Sequence, residues 1–150
     1  MQILTSHRSV MLSFVVAAVM AACGSGTAAA PPAITCHTQY RPDAETLVGA
    51  REPSLTVERA DDLSPQPQTV EFDTLTLEVA YQGDAPEGRN VTVVVSTRDG
   101  QPLVRDLYQF TDGGELDREF AGGHGFTGLQ YVFHRGSSLQ VWCAAGAASG

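Results

Sequence analysis

The chain contains no lysine. Its nine basic residues are all Arg, and only Arg8 precedes Cys23, so the portion after Cys23 sets eight Arg against seventeen Asp and Glu, a formal charge of −9. A field of that sign repels phosphate backbones and anionic lipid surfaces, which argues against nucleic acid as a partner and against electrostatic membrane binding. The missing lysine also removes Schiff-base and lysine-assisted catalysis. No G-x-S-x-G elbow, no H-E-x-x-H pair and no phosphate-binding loop occurs. The expectation is a protein that is not an enzyme and needs no cofactor. Long apolar runs are absent as well. The stretch from Val10 to Ala22 has 13 residues, whereas about 20 are needed to span a bilayer. No segment carries a 3.6-residue apolar stripe bounded by helix caps.

What the first 22 residues do contain is a polar start with His7 and Arg8, the short apolar stretch, and an exit through small residues. That is the layout of a secretory signal peptide. Val10, Met11, Leu12, Phe14, Val15, Val16 and Val19 cover every helical face, unlike a buried amphipathic helix. The stretch closes on Met20-Ala21-Ala22-Cys23 followed by Gly24-Ser25-Gly26. These residues resemble the lipobox of bacterial lipoproteins, in which the cysteine is lipidated on sulfur and becomes the mature N-terminus. Met20 stands where the family usually has Leu. The resemblance implies a lipoprotein carrying acyl chains such as palmitate on Cys23, held at the cell membrane on its extracytoplasmic face, and it implies no activity. One acyl chain holds a protein only marginally, whereas two or more make a stable anchor. Residues 23–34 are then the lipidated Cys and a flexible tether, and nine residues of such composition span about 15–18 Å. The alternative is ordinary signal-peptidase cleavage, for instance after Ala30, which discards Cys23 and leaves a secreted protein.

With Cys23 set aside, Cys36 and Cys143 remain near the two ends of the folded part. Export places them in an oxidising compartment, where a bridge closing about 100 residues contributes roughly 4–5 kcal/mol. The rival is a Cys36 nucleophile with His37 as base. Neighbours on a strand point to opposite faces, so that pair is badly placed for proton transfer.

Between the cysteines the dominant period is two. Leu55 and Val57, then Leu75, Leu77, Val79 and Tyr81, then Val91, Val93 and Val95 each alternate with a mostly polar set. The apolar parity flips between Phe72 and Leu75, which requires a bulge or a short turn near Asp73-Thr74. Asp99-Gly100 reads as a hairpin turn ahead of the run Leu103 to Phe110. Leu129, Tyr131 and Phe133 make another strand, a turn follows at 134–138, and Leu139, Val141 and Cys143 return on one apolar face. About seven short strands at this spacing predict an all-β fold, a small antiparallel β-sandwich over residues 35–145, with a partly closed barrel as the runner-up. The architecture is Ig-like without the standard Ig pattern, because Trp142 adjoins Cys143 rather than lying between the cysteines. The bridge is expected to join the first and last strands, and residues 146–150 form a disordered tail.

Four residues form the expected ligand surface: His124 and Phe126 in the glycine-rich segment 121–128, with Tyr108 and Trp142 among the aromatics. Loops 83–90 and 111–128 are the expected recognition end. Asp112, Glu115 and Asp117 cluster carboxylates as a calcium site would, and with His124 they are weak metal candidates. They lack the alternating pattern of a calcium loop, however, and His37, His124 and His134 lack metal-ligand spacing. The leading expectation is a non-catalytic, lipid-anchored envelope protein that binds another envelope protein or a cell-wall component. The alternatives are a metal-binding (Ca, Zn or Cu) accessory protein and, third, a secreted hydrolase.

Overall fold

Alternation of apolar and polar side chains decides this architecture. The computed structural model describes residues 33–60, 65–83, 89–110 and 123–145, and among them the regular structure is eight β-strands with no helix. The expected signal peptide, Cys23, most of the tether, the acidic residues Asp112, Glu115 and Asp117, and the tail 146–150 lie outside the described residues.

The strands are β1 (Ala33–Arg41), β2 (Ser54–Glu58), β3 (Gln68–Glu71), β4 (Leu75–Gln82), β5 (Asn90–Thr97), β6 (Pro102–Gln109), β7 (Gln130–His134) and β8 (Ser137–Ala145). They form two antiparallel sheets, one ordered β2-β1-β8-β7 and the other β3-β4-β5-β6. The second sheet is an uninterrupted meander inserted between the two hairpins of the first. The inward residues of both sheets make one core. Ile34, Cys36, Tyr40, Leu139, Val141 and Cys143 from the first sheet face Leu75, Leu77, Val79, Tyr81, Val91, Val93 and Val95 from the second, all essentially without solvent exposure.

One strand more than expected arises where the parity flips. The flip is a tight turn at Phe72–Thr74, with the Phe72 N–H donating to the Leu75 carbonyl at 2.8 Å, so the segment is a hairpin of β3 and β4. Gly100 takes φ +86° in the expected Asp99-Gly100 turn, and the Thr97 hydroxyl there bonds the Asp99 carboxylate, which holds its pKa below the ordinary value. β1 begins at Ala33, so Ile34, read from sequence as tether, is fully buried core.

Cys36 and Cys143 are bonded, with Cα atoms 4.0 Å apart, and they are direct cross-strand partners in the β1–β8 ladder. The first and last strands are thus joined, as expected. The two sheets are further tied at their ends. At the β7–β8 turn, Thr74 Oγ1 lies 3.2 Å from the Tyr40 hydroxyl and 2.6 Å from Ser137 Oγ. Between the edge strands β6 and β7, Gln130 Nε2 donates to Asp106 at 2.5 Å and to the Tyr108 hydroxyl at 2.7 Å.

Candidate functional site

The disulfide that faces the core also sets what faces solvent. Side chains alternate along a strand, so Cys36 inward places His37 outward, and Cys143 inward places Trp142 outward. The register that pairs the cysteines pairs His37 with Trp142. The two rings consequently stack, with centroids 5.1 Å apart and planes 21° from parallel, the cross-strand contact expected of direct neighbours on one face. His37 and Cys36 stand on opposite sides of the sheet, and the sulfur is consumed in the bridge.

The segment 123–128 brings a second imidazole to the same indole. It runs beside β8 beyond the end of β7, with the Phe126 N–H donating to the Cys143 carbonyl at 3.0 Å and the Cys143 N–H to Thr127 Oγ1 at 2.8 Å. Gly125 makes this approach possible. Its φ is +60°, and a Cβ there would sit 2.1 Å from the Cys143 carbonyl oxygen. The close approach that the glycines permit is therefore to the chain's own last strand. With the backbone held there, His124 meets Trp142 edge-on, at 5.5 Å and 89°.

Around these rings lies a groove of about 290 Å³ on the outer face of the first sheet. His37, Gln39, Gln140 and Trp142 form its floor, Glu52 and Ser54 one wall, and His124 and Leu129 the other. The floor is braced. Gln39 Nε2 donates to Glu52 at 2.5 Å, while Gln39 Oε1 accepts from Arg41 at 2.7 Å and from Gln140 at 3.2 Å. Ser54 Oγ lies 3.3 Å from His37 Nδ1. Among the described residues no carboxylate bonds the His37 ring, so the contact lacks the third group that orients a base in a hydrolase triad.

Beyond Gln140, its cross-strand neighbour Tyr131 and the following outward residue Phe133 stand on β7. Their rings are stacked, with centroids 6.3 Å apart and planes 12° from parallel, and their exposures are 55% and 66%. This reverses the expected phase of that strand. Val132, at 5% exposure, is the inward residue of β7, because pairing with β8 carries Val132 opposite core residue Leu139 and leaves Tyr131 and Phe133 on the solvent side.

The four expected ligand residues divide into two pairs. His124 and Trp142 meet at the groove. Tyr108 and Phe126 instead pack edge to face at 5.6 Å inside the sandwich, Phe126 only 5% exposed and touching Phe110. Phe126 belongs to the core, Tyr108 is partly buried against it, and neither lines the groove. Burial, aided by the neighbouring Asp106 charge, pushes the Tyr108 hydroxyl up to about 12. Gln39, Glu52, Ser54 and Gln140 escaped sequence reading, and His37 entered it only as a base for Cys36 and as a metal ligand. The usable signal for its place beside Trp142 was the cysteine pair itself, since direct pairing of 36 with 143 puts His37 opposite Trp142. His134 sits on the β7–β8 hairpin, away from the groove lining. Among the described residues no group of three or more His, Cys, Asp or Glu side chains could hold a metal ion. No protein-family model, curated protein or solved structure matches the chain.

Proposed function

We propose that this protein is a non-catalytic binding module, exported, anchored through lipid on Cys23 to the extracytoplasmic face of the cell membrane, and recognising its partner with the outer face of the first sheet. The observation that carries the reading is the groove around Trp142 with the exposed Tyr131–Phe133 pair beside it, aromatic surface that the core does not use. A buried bridge between the first and last strands is compatible with an oxidising compartment.

The placement of the chain ends supports the side face over the loops. Ala33 pairs with Glu58, and Ile34 with Ala145. At that same end Ala60 bonds Tyr81 and Gly83, Phe110 bonds Arg89, and Phe126 bonds Cys143. The stems of loops 83–90 and 111–128 thus share the end from which the tether leaves. A nine-residue tether of about 15–18 Å turns that end toward the headgroups, and the side face stays open to the envelope.

Intact-mass measurement of the chain from the membrane fraction is expected to show cleavage before Cys23, added acyl chains and two hydrogens fewer than the reduced protein. Binding to isolated envelope material is expected to fall on changing Tyr131 and Phe133 to Ser. A cytoplasmic, uncleaved chain, or envelope binding indifferent to those substitutions, overturns the proposal. One contact favours a second reading, a hydrolase using Ser54 and His37. Covalent labelling of Ser54 by a fluorophosphonate supports it, and an unlabelled protein removes it.

A further inference from the structure

We infer that the groove and the adjoining exposed aromatic pair of β7 bind a neutral saccharide chain, a reading that deepens the binding module proposed above and rests on it. A sugar ring presents an apolar C–H face bordered by hydroxyls that both donate and accept. Its complement is a flat aromatic surface bordered by side chains that also do both, and amides meet that requirement best. The groove supplies this combination: the Trp142 indole beside two imidazoles, with the Gln140 amide, whose Oε1 and second N–H remain open among the described residues, in its floor and the Ser54 hydroxyl on its rim. Among the described residues no hydrogen bond engages His37 Nε2, Trp142 Nε1 or either nitrogen of His124, which leaves donors and acceptors at the groove for a ligand.

Charge selects the neutral class. The one carboxylate in the lining, Glu52, already accepts from Gln39, and the nearby Arg41 guanidinium is engaged with Gln39 Oε1. A phosphate or uronate would find no arginine in the lining and would approach a chain of formal charge −9 beyond Cys23. Size admits a slender ligand. At about 290 Å³ the groove is at the lower bound of small-ligand pockets. An extended chain seated beside Trp142 runs past Gln140 onto Tyr131 and Phe133, whose exposed rings stand nearly parallel and offer apolar surface to sugar C–H groups. The Gln39 brace fixes the floor before a ligand arrives, so little ordering entropy is lost on binding.

The test uses the full chain purified from membranes in a detergent without a sugar headgroup, and reads the emission of Trp142, the only tryptophan, with calorimetry in parallel. The probes are tetramers of N-acetylglucosamine and of β-linked glucose, with an oligogalacturonate as the anionic control. A saturable response to a neutral tetramer is expected, weakened roughly tenfold by Tyr131→Ala, about the loss of one stacked ring. Thermal stability of that variant is expected to be unchanged, because the side chain is exposed. The inference is overturned by no heat and no emission change with either neutral tetramer up to about 10 mM, by an equal response in Tyr131→Ala, or by preference for the anionic control. Envelope binding that still depends on Tyr131 and Phe133 while neutral tetramers fail removes the saccharide reading and leaves the module. Loss of both removes the module too.

Discussion

Gly125 shows how one residue admits a functional loop to a strand. Its positive φ and the 2.1 Å approach to the Cys143 carbonyl exclude any side chain. Gly125→Ala is expected to lower unfolding free energy by more than about 2 kcal/mol, and to shift the near-ultraviolet dichroism of Trp142 as His124 is displaced. Gly123→Ala, with φ +76° but open space around it, is expected to cost only about 1 kcal/mol. Urea titration of the two variants separates steric exclusion from backbone preference. Tyr108 contributes to the alkaline pH dependence, as does Tyr81, whose pKa burial also raises. The folded Tyr108 pKa of about 12 lies above the ordinary tyrosine value of 10.0, through burial first and the Asp106 charge second. The folded state therefore holds the phenolic proton more tightly than the unfolded chain. The resulting stabilisation is complete below pH 10 and is lost as pH rises through 12. Tyr108→Phe loses the Gln130 hydrogen bond and is expected to be less stable by about 1 kcal/mol at pH 7. The gap from wild type is expected to close between pH 10 and 12, as followed by urea unfolding at stepped pH.

At the scale of the element, strands buried on one face were legible because alternation has a single solution. β4, β5 and β8 present alternate residues inward in the order that their apolar residues dictate, whereas β1 was placed only through Cys36. The flip at Phe72 could be resolved as a bulge or a turn, and pairing of β3 with β4 in register Val70↔Leu77 chose the turn. β7 misled because every outward residue is also large and apolar. With Tyr131 and Phe133 on one face and Val132 on the other, residue type carries no phase, and the β8 partner supplies it. Val132→Ala is expected to cost roughly 2 kcal/mol, whereas Phe133→Ser is expected to change stability by less than about 0.5 kcal/mol. Chemical denaturation of both variants checks the phase directly.

On the scale of the whole molecule, the bridge closes a separation of 107 residues. Replacing both cysteines with Ala is expected to lose about 4–5 kcal/mol by the chain-entropy account, measured as a fall in the urea midpoint. The same bridge sets the β1–β8 register and hence the His37–Trp142 stack on the outer face. Reduction is therefore expected to weaken the near-ultraviolet dichroism of Trp142 before secondary structure is lost. The amino-acid order by itself determined the all-β class, the positions of most strands and the pairing of Cys36 with Cys143, because period-two burial is a local property of the chain and setting Cys23 aside leaves only two cysteines to pair. Only the tertiary structure decided which aromatics are surface, that His124 reaches Trp142, and that Gln39, Glu52 and Gln140 join them. Those contacts join β1 and Glu52 to the loop before β7 and to β8, more than seventy residues further along the sequence. No local periodicity encodes such a meeting; it follows from strand order and register.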